Sequence, residues 1–115
     1  MREFLRSFVY ALNGIRASFR EQRTLKVQST IAFITIVAGF YFKITSTEWS
    51  LILLSIAAVI GLEMINTAME SLVDLVTTER RPLAGKVKDV AAGAVLFASV
   101  IAVVLGVIIF RKYLM

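Results

Sequence analysis

WSLILLSIAAVIGLEMINTAMESLVDLV, Trp49 to Val76, is the stretch that decides the fold. Its apolar run predicts a helix too long to lie wholly in the hydrocarbon of a bilayer, so its last turns, with Glu70 and Asp74, protrude into the interface. The run Gly61–Leu75 at its inner end carries four polar side chains, Glu63, Asn66, Glu70 and Asp74. Offsets of 0, 3, 7 and 11 residues place all four within an arc of roughly 80° on one helix face. A charged side chain at membrane depth costs on the order of 2.5–3.5 kcal/mol, so a row of them marks a functional site.

Three other segments surround this helix. Val27 to Phe42 is a first span, short but extended at the interface by Gln28 and Ser29. Lys43 to Glu48 is a polar loop, and Trp49 suits the aromatic belt. Thr77 to Lys88 contains Pro82 and Gly85 and reads as a polar connection. Asp89 to Phe110 is the third span, closed by Arg111 and Lys112. Its strip of small residues, Ala94, Ala98, Ala102 and Gly106, reads as close helix packing. In Met1 to Lys26, Phe4, Phe8, Ala11, Ile15 and Phe19 recur every three or four residues among Arg2, Arg6, Arg16 and Arg20. That pattern predicts an amphipathic helix in the membrane interface, not a signal peptide, which needs a continuous apolar stretch and a cleavage site. The expected fold is an all-α membrane protein with one interfacial helix and three spans.

Composition narrows the chemistry. The 115 residues allow one domain, and 58% of them are hydrophobic, concentrated in long runs, with a mean hydropathy of +0.81. The absence of cysteine excludes disulfides and thiolate metal sites, and the absence of histidine removes the commonest general base. Acid–base or metal chemistry must use carboxylates, amides, lysine or water. The net charge of +5 does not indicate nucleic acid, because the basic residues flank apolar runs. Six of them lie in the N-terminal segment and four in the 77–88 connection, against one in the 43–48 loop and two in the tail. The positive-inside rule makes the side with ten cytoplasmic, and the carboxylate row faces that side.

Depth sorts the row. Glu63 lies roughly 21 Å along the helix from Trp49, just inside the inner hydrocarbon boundary, and Glu70 roughly 31 Å along it, in the wet interface. Partial withdrawal from water makes a carboxylate beside a lipid hydroxyl a suitable general base. The wetter carboxylates suit a hard divalent cation whose shell water completes. Duller roles exist for single residues: Asp74 as an interfacial helix-end acid, Glu70 as partner to a basic residue of the N-terminal helix, Asn66 as an interhelical hydrogen bond. Lys88-Asp89 opens the third span, with Asp89 as N-cap or first-turn acid, or as part of a phosphate site with Lys88. No GxxxxGK[ST] loop is present, since Gly85-Lys86 is followed by Val87, so a soluble P-loop kinase is excluded.

The runs ExxNTAxExxVDL (Glu63–Leu75) and KDxAAGAVL (Lys88–Leu96) closely resemble the prokaryotic diacylglycerol kinase family, which includes undecaprenol kinases. The resemblance extends from about Tyr10 to the C-terminus. It implies a homotrimer in the cytoplasmic membrane, with active sites shared between subunits at the cytoplasmic interface and ATP and Mg²⁺ in use. It implies Glu63 as catalytic base beside Asn66, Glu70 as metal ligand, and Asp74 at the site edge. Lys88 and Asp89 match a nucleotide-contacting pair, Glu79, Arg80 and Arg81 a nucleotide-contacting stretch, and Tyr10 an aromatic near the nucleotide. Relatives often carry histidine where Arg81 stands. Gln22 falls where the family usually has a second metal-binding glutamate, with Glu21 adjacent and, on a helix, pointing about 100° away. Glu48-Trp49 and Thr78–Ala84 look more like the undecaprenol kinase branch than the enterobacterial diacylglycerol kinase branch. Phosphorylation of undecaprenol is the expectation, with diacylglycerol as the alternative acceptor. A multispan transporter using Glu63 as a proton or cation site is the distant third reading.

Overall fold

The computed structural model describes residues 1–115 as four helices and no strand: α1 Arg2–Glu21, α2 Arg23–Phe42, α3 Ser46–Val76 and α4 Pro82–Leu114. The last three are long and apolar enough to cross a membrane. Only 11 residues are buried, so the large side chains of these helices face outward, as those of a chain solvated by lipid or by its own kind do.

Each boundary has a local cause. Gln22, in an extended conformation (φ −106°, ψ 113°), separates α1 from α2, so the N-terminal segment is not one helix to Lys26. Lys43 ends α2 in the left-handed region (φ 52°, ψ 56°), where the N–H groups of Lys43 and Ile44 reach back to the carbonyls of Phe40 and Gly39. Thr45 then starts α3 with a reciprocal capping box: its hydroxyl accepts from the Glu48 N–H, and the Glu48 carboxylate accepts from the Thr45 N–H. The second span therefore begins at Ser46, inside what reads from composition as a loop. Arg81 caps α4 and Pro82 takes its first turn, where a missing N–H costs nothing. The polar connection thus shrinks to residues 77–81, and Gly85 and Lys88 are helical. Asp89 lies two turns inside α4 and caps nothing.

α3 and α4 form the principal contact, an antiparallel pair against which α2 leans. At one end Ile44, Ile52 and Ile109 form a small core with Phe42, Trp49 and Tyr113 around it. Gly39 lets α2 approach there, since a Cβ at that position would stand 2.7 Å from the Trp49 ring. The strip on α4 behaves differently. It is exposed at Ala94 and half-buried at Ala98, Ala102 and Gly106, and a Cβ at Gly106 would meet nothing within 4 Å, so that glycine is not a point of close helix approach within the chain. α1 buries none of its residues, and only Ser18 and Phe19 are half-covered.

Candidate active site

The buried residues of α3 are Glu48, Ile52, Val59, Glu63, Asn66 and Val73, a single stripe at helical spacing. Glu63 and Asn66 are 5% and 9% exposed, Glu70 is half-buried, and Asp74 is open. The row is therefore graded from dry to wet along one face. Asn66 stands one turn from Glu63 on the same face of α3, and Glu70 one turn beyond it. The Asn66 Oδ1 atom is buried with no hydrogen-bond partner. An orphaned acceptor costs about 1–3 kcal/mol, so it marks a place where a donor from outside the chain belongs.

α4 closes the wet end. Lys88 Nζ donates to Asp74 Oδ1 at 2.8 Å, joining the two helices across 14 residues of sequence. Its ammonium has three donors and this bond uses one, which leaves two for another anion. Glu79 and Arg81 pair with each other at 3.2 Å in the open connection. Arg80 and Asp89 are exposed, as is Tyr10 (68%) on α1. Glu21 is exposed and Gln22 half-buried at the α1–α2 junction. Because Gln22 lies outside both helices, helical periodicity does not fix its direction relative to Glu21. No hydrogen bond or ion pair joins Tyr10, Glu21, Gln22, Arg81 or Asp89 to the row on α3. One chain thus assembles Glu63, Asn66, Glu70, Asp74 and Lys88, and leaves the remaining residues around the rim.

The donors available for a metal are carboxylate and amide oxygens, which fit a hard divalent cation in kind. They fall short in number, since no three acids converge within one chain. Nucleotide phosphates, water or a second copy would have to complete such a shell.

The opposite end holds a cluster that the sequence reading did not pick out. Glu48, 7% exposed, accepts from the Tyr113 hydroxyl at 2.6 Å and pairs with Lys112 at 2.6 Å. Thr45-x-x-Glu48, a capping-box pattern, was the available signal for half of it. The partners on α4 lie 65 residues away in sequence and had none.

The geometry is that of a small helical membrane chain with a buried acid–amide pair on one span and, nearer the end of that span, an acid held by a lysine of the next. The chain matches the prokaryotic diacylglycerol kinase family over residues 9–110, and it belongs to that family. It is 38% identical over 110 residues to the undecaprenol kinase of Bacillus subtilis, covering 96% of this chain and 89% of that one. It is 32% identical over 107 residues to the diacylglycerol kinase of Haemophilus influenzae, covering 92% and 91%. The diacylglycerol kinase of Escherichia coli K12 is more distant, 26% over 95 residues, covering 83% and 78%. The chain is a lipid kinase that uses ATP, which sets the transporter reading aside.

Proposed function

We propose that this chain transfers the γ-phosphoryl group of ATP to the hydroxyl of undecaprenol. Glu63 takes the proton from the lipid hydroxyl, whose oxygen attacks the γ-phosphorus in line. The bond to the β–γ bridging oxygen breaks, and ADP leaves with the charge. Asn66, one turn along the same face, positions the Glu63 carboxylate. Lys88, tethered by Asp74, offsets phosphate charge, with Asp89, Glu79, Arg80, Arg81 and Tyr10 around the nucleotide. Glu70, with Gln22 or Glu21, would hold Mg²⁺, which would supply positive charge to offset that of the phosphates.

The observation that carries this reading is the graded row, with a buried acid at lipid depth and a lysine at the wet end. The likeness to the Bacillus subtilis undecaprenol kinase selects the acceptor. α1 lies in the membrane interface as an amphipathic helix, with the N-terminus and the site on the cytoplasmic side of the inner membrane. The working unit is a homotrimer, as the family resemblance implies, and one chain alone leaves the metal shell and the rim of the site incomplete. Diacylglycerol is the second acceptor, favoured by the Haemophilus influenzae relative. Purified protein given both lipids separately with ATP and Mg²⁺ should show the higher kcat/KM for undecaprenol. A preference for diacylglycerol reverses the assignment, and turnover of neither refutes the lipid-kinase chemistry.

A further inference from the structure

Between Asp89 and Arg111, α4 carries one polar side chain, Ser99. A hydroxyl inside a helix commonly turns back to the carbonyl four residues earlier. Ser7, Ser18, Thr30, Thr35, Ser50 and Thr67 all do so here, at 2.8–3.0 Å. Ser99 does not. Its Oγ atom is buried and bonded to nothing, a costly condition unless a partner arrives from elsewhere. Val95 and Ile109, the buried residues of α4, mark the face turned toward α3, and Ser99 lies one turn beyond Val95 on it. The two polar pairs that join the helices fix what stands opposite. Eleven residues outward from Asp74 is Glu63, and eleven from its partner Lys88 is Ser99. Fifteen residues inward from Glu48 is again Glu63, and fifteen back from its partner Lys112 is Phe97. Phe97 points outward at 71% exposure and Ala98 is apolar, so Ser99 is the polar group that α4 offers at the depth of the acid. It borders the same hollow as Val59 and Ile60, in the turn of α3 that precedes Glu63.

We infer that Ser99 positions the substrate: its hydroxyl donates to the oxygen of the lipid alcohol while Glu63 accepts that alcohol's hydrogen. The inference rests on the lipid-kinase reading above and adds a second contact to the acceptor hydroxyl, from a second helix. An alcohol oxygen has one hydrogen and two lone pairs. With the hydrogen at Glu63 and one lone pair at Ser99, the direction of the remaining lone pair is fixed, and in-line transfer requires it to face the γ-phosphorus. Glu63 alone would leave the oxygen free to rotate about its bond to carbon. Ser29 on α2 also has a buried hydroxyl without a partner, but it lies at a different depth. Gly39 meets Trp49, and ten residues inward from each sets Ser29 opposite Val59, a turn short of the acid.

Steady-state kinetics of Ser99 variants of the intact, purified protein, with undecaprenol as acceptor, test this. In Ser99→Ala, kcat/KM for undecaprenol should fall about five- to tenfold, the effect of one hydrogen bond, with KM for ATP and the pH profile unmoved. Ser99→Thr keeps the hydroxyl and should recover about half of that loss or more, whereas Ser99→Val, of the same shape without the donor, should not. Ser29→Ala should stay within about twofold of the wild type. An unchanged kcat/KM in Ser99→Ala overturns the proposal, and so does a Ser99→Val as active as Ser99→Thr, which would reduce the position to packing. A displaced pH profile overturns it by placing the hydroxyl on the Glu63 carboxylate itself. An equal loss in Ser29→Ala overturns it by making the effect common to any buried hydroxyl. A wild-type protein inactive on undecaprenol and on diacylglycerol refutes the lipid-kinase reading itself, whereas an active wild type with indifferent variants refutes the role of Ser99 alone.

Discussion

At the scale of single residues, the site depends on how each polar group is exposed. Glu63 and Asn66 are withdrawn from water, whereas Asp74 and Lys88 meet in the open with side chains 61% and 40% exposed. An exposed pair contributes ~0–1 kcal/mol, so stability does not explain this one. Asp74→Asn should change the unfolding free energy by less than ~1 kcal/mol while KM for ATP rises severalfold, because Lys88 loses its tether. An unchanged KM in that variant would reduce Asp74 to an interfacial helix-end acid. Gln22 offers a second test. A neutral amide binds Mg²⁺ more weakly than a carboxylate, and nucleotide phosphates supply much of the remaining coordination. Gln22→Glu should therefore lower the Mg²⁺ concentration for half-maximal rate, and Glu21→Gln should do little. The reverse pattern in a Mg²⁺ titration would make Glu21 the ligand, which the extended backbone at Gln22 permits.

At the scale of elements, two polar clamps brace α3 against α4, Lys88–Asp74 at one end and the Glu48, Lys112 and Tyr113 cluster at the other. Among the glycines, only Gly39 on α2 is closely approached, by the Trp49 ring of α3 beside the Glu48 cluster. Gly39→Ala forces the indole aside and should cost roughly 1–3 kcal/mol in unfolding, without altering KM for ATP, since the contact lies at the end of the spans far from Lys88. A neutral effect in a denaturation series would show that Trp49 moves freely. The elements were legible in the sequence to differing degrees. Apolar runs located all three spans, because a bilayer demands them of any chain that crosses it. Their starts were misplaced by three to seven residues where capping chemistry prevailed over hydropathy, at Ser46 through the Thr45–Glu48 box and at Pro82 through the proline itself. The row from Glu63 to Asp74 was legible because it lies on one helix, where spacing converts directly to direction. The Glu48 cluster was not, because it depends on which face of α4 meets α3, and no spacing within a single helix encodes that.

At the scale of the whole molecule, the chain buries so little of itself that its polar row needs neighbours. Mixed oligomers of inactive Glu63→Gln and Glu70→Gln chains should regain part of the wild-type activity if these residues serve one site across a subunit boundary; mixed oligomers that stay inactive would place each site within one chain. Orientation has its own test, since Thr47 and Thr78 are both exposed and lie at opposite ends of α3. Single cysteines there should label from opposite sides of intact cells, Thr47 from the outside, and labelling of both from one side would contradict the topology. The central claim is that a buried acid activates a lipid hydroxyl for attack on ATP. Its most direct measurement is the rate of γ-phosphoryl transfer to undecaprenol by Glu63→Gln, with ATP affinity determined on the same preparation. The rate should fall about 10²–10⁴-fold with nucleotide binding kept, as expected for loss of a general base. A variant that turns over near the wild-type rate would show that Glu63 is not the base.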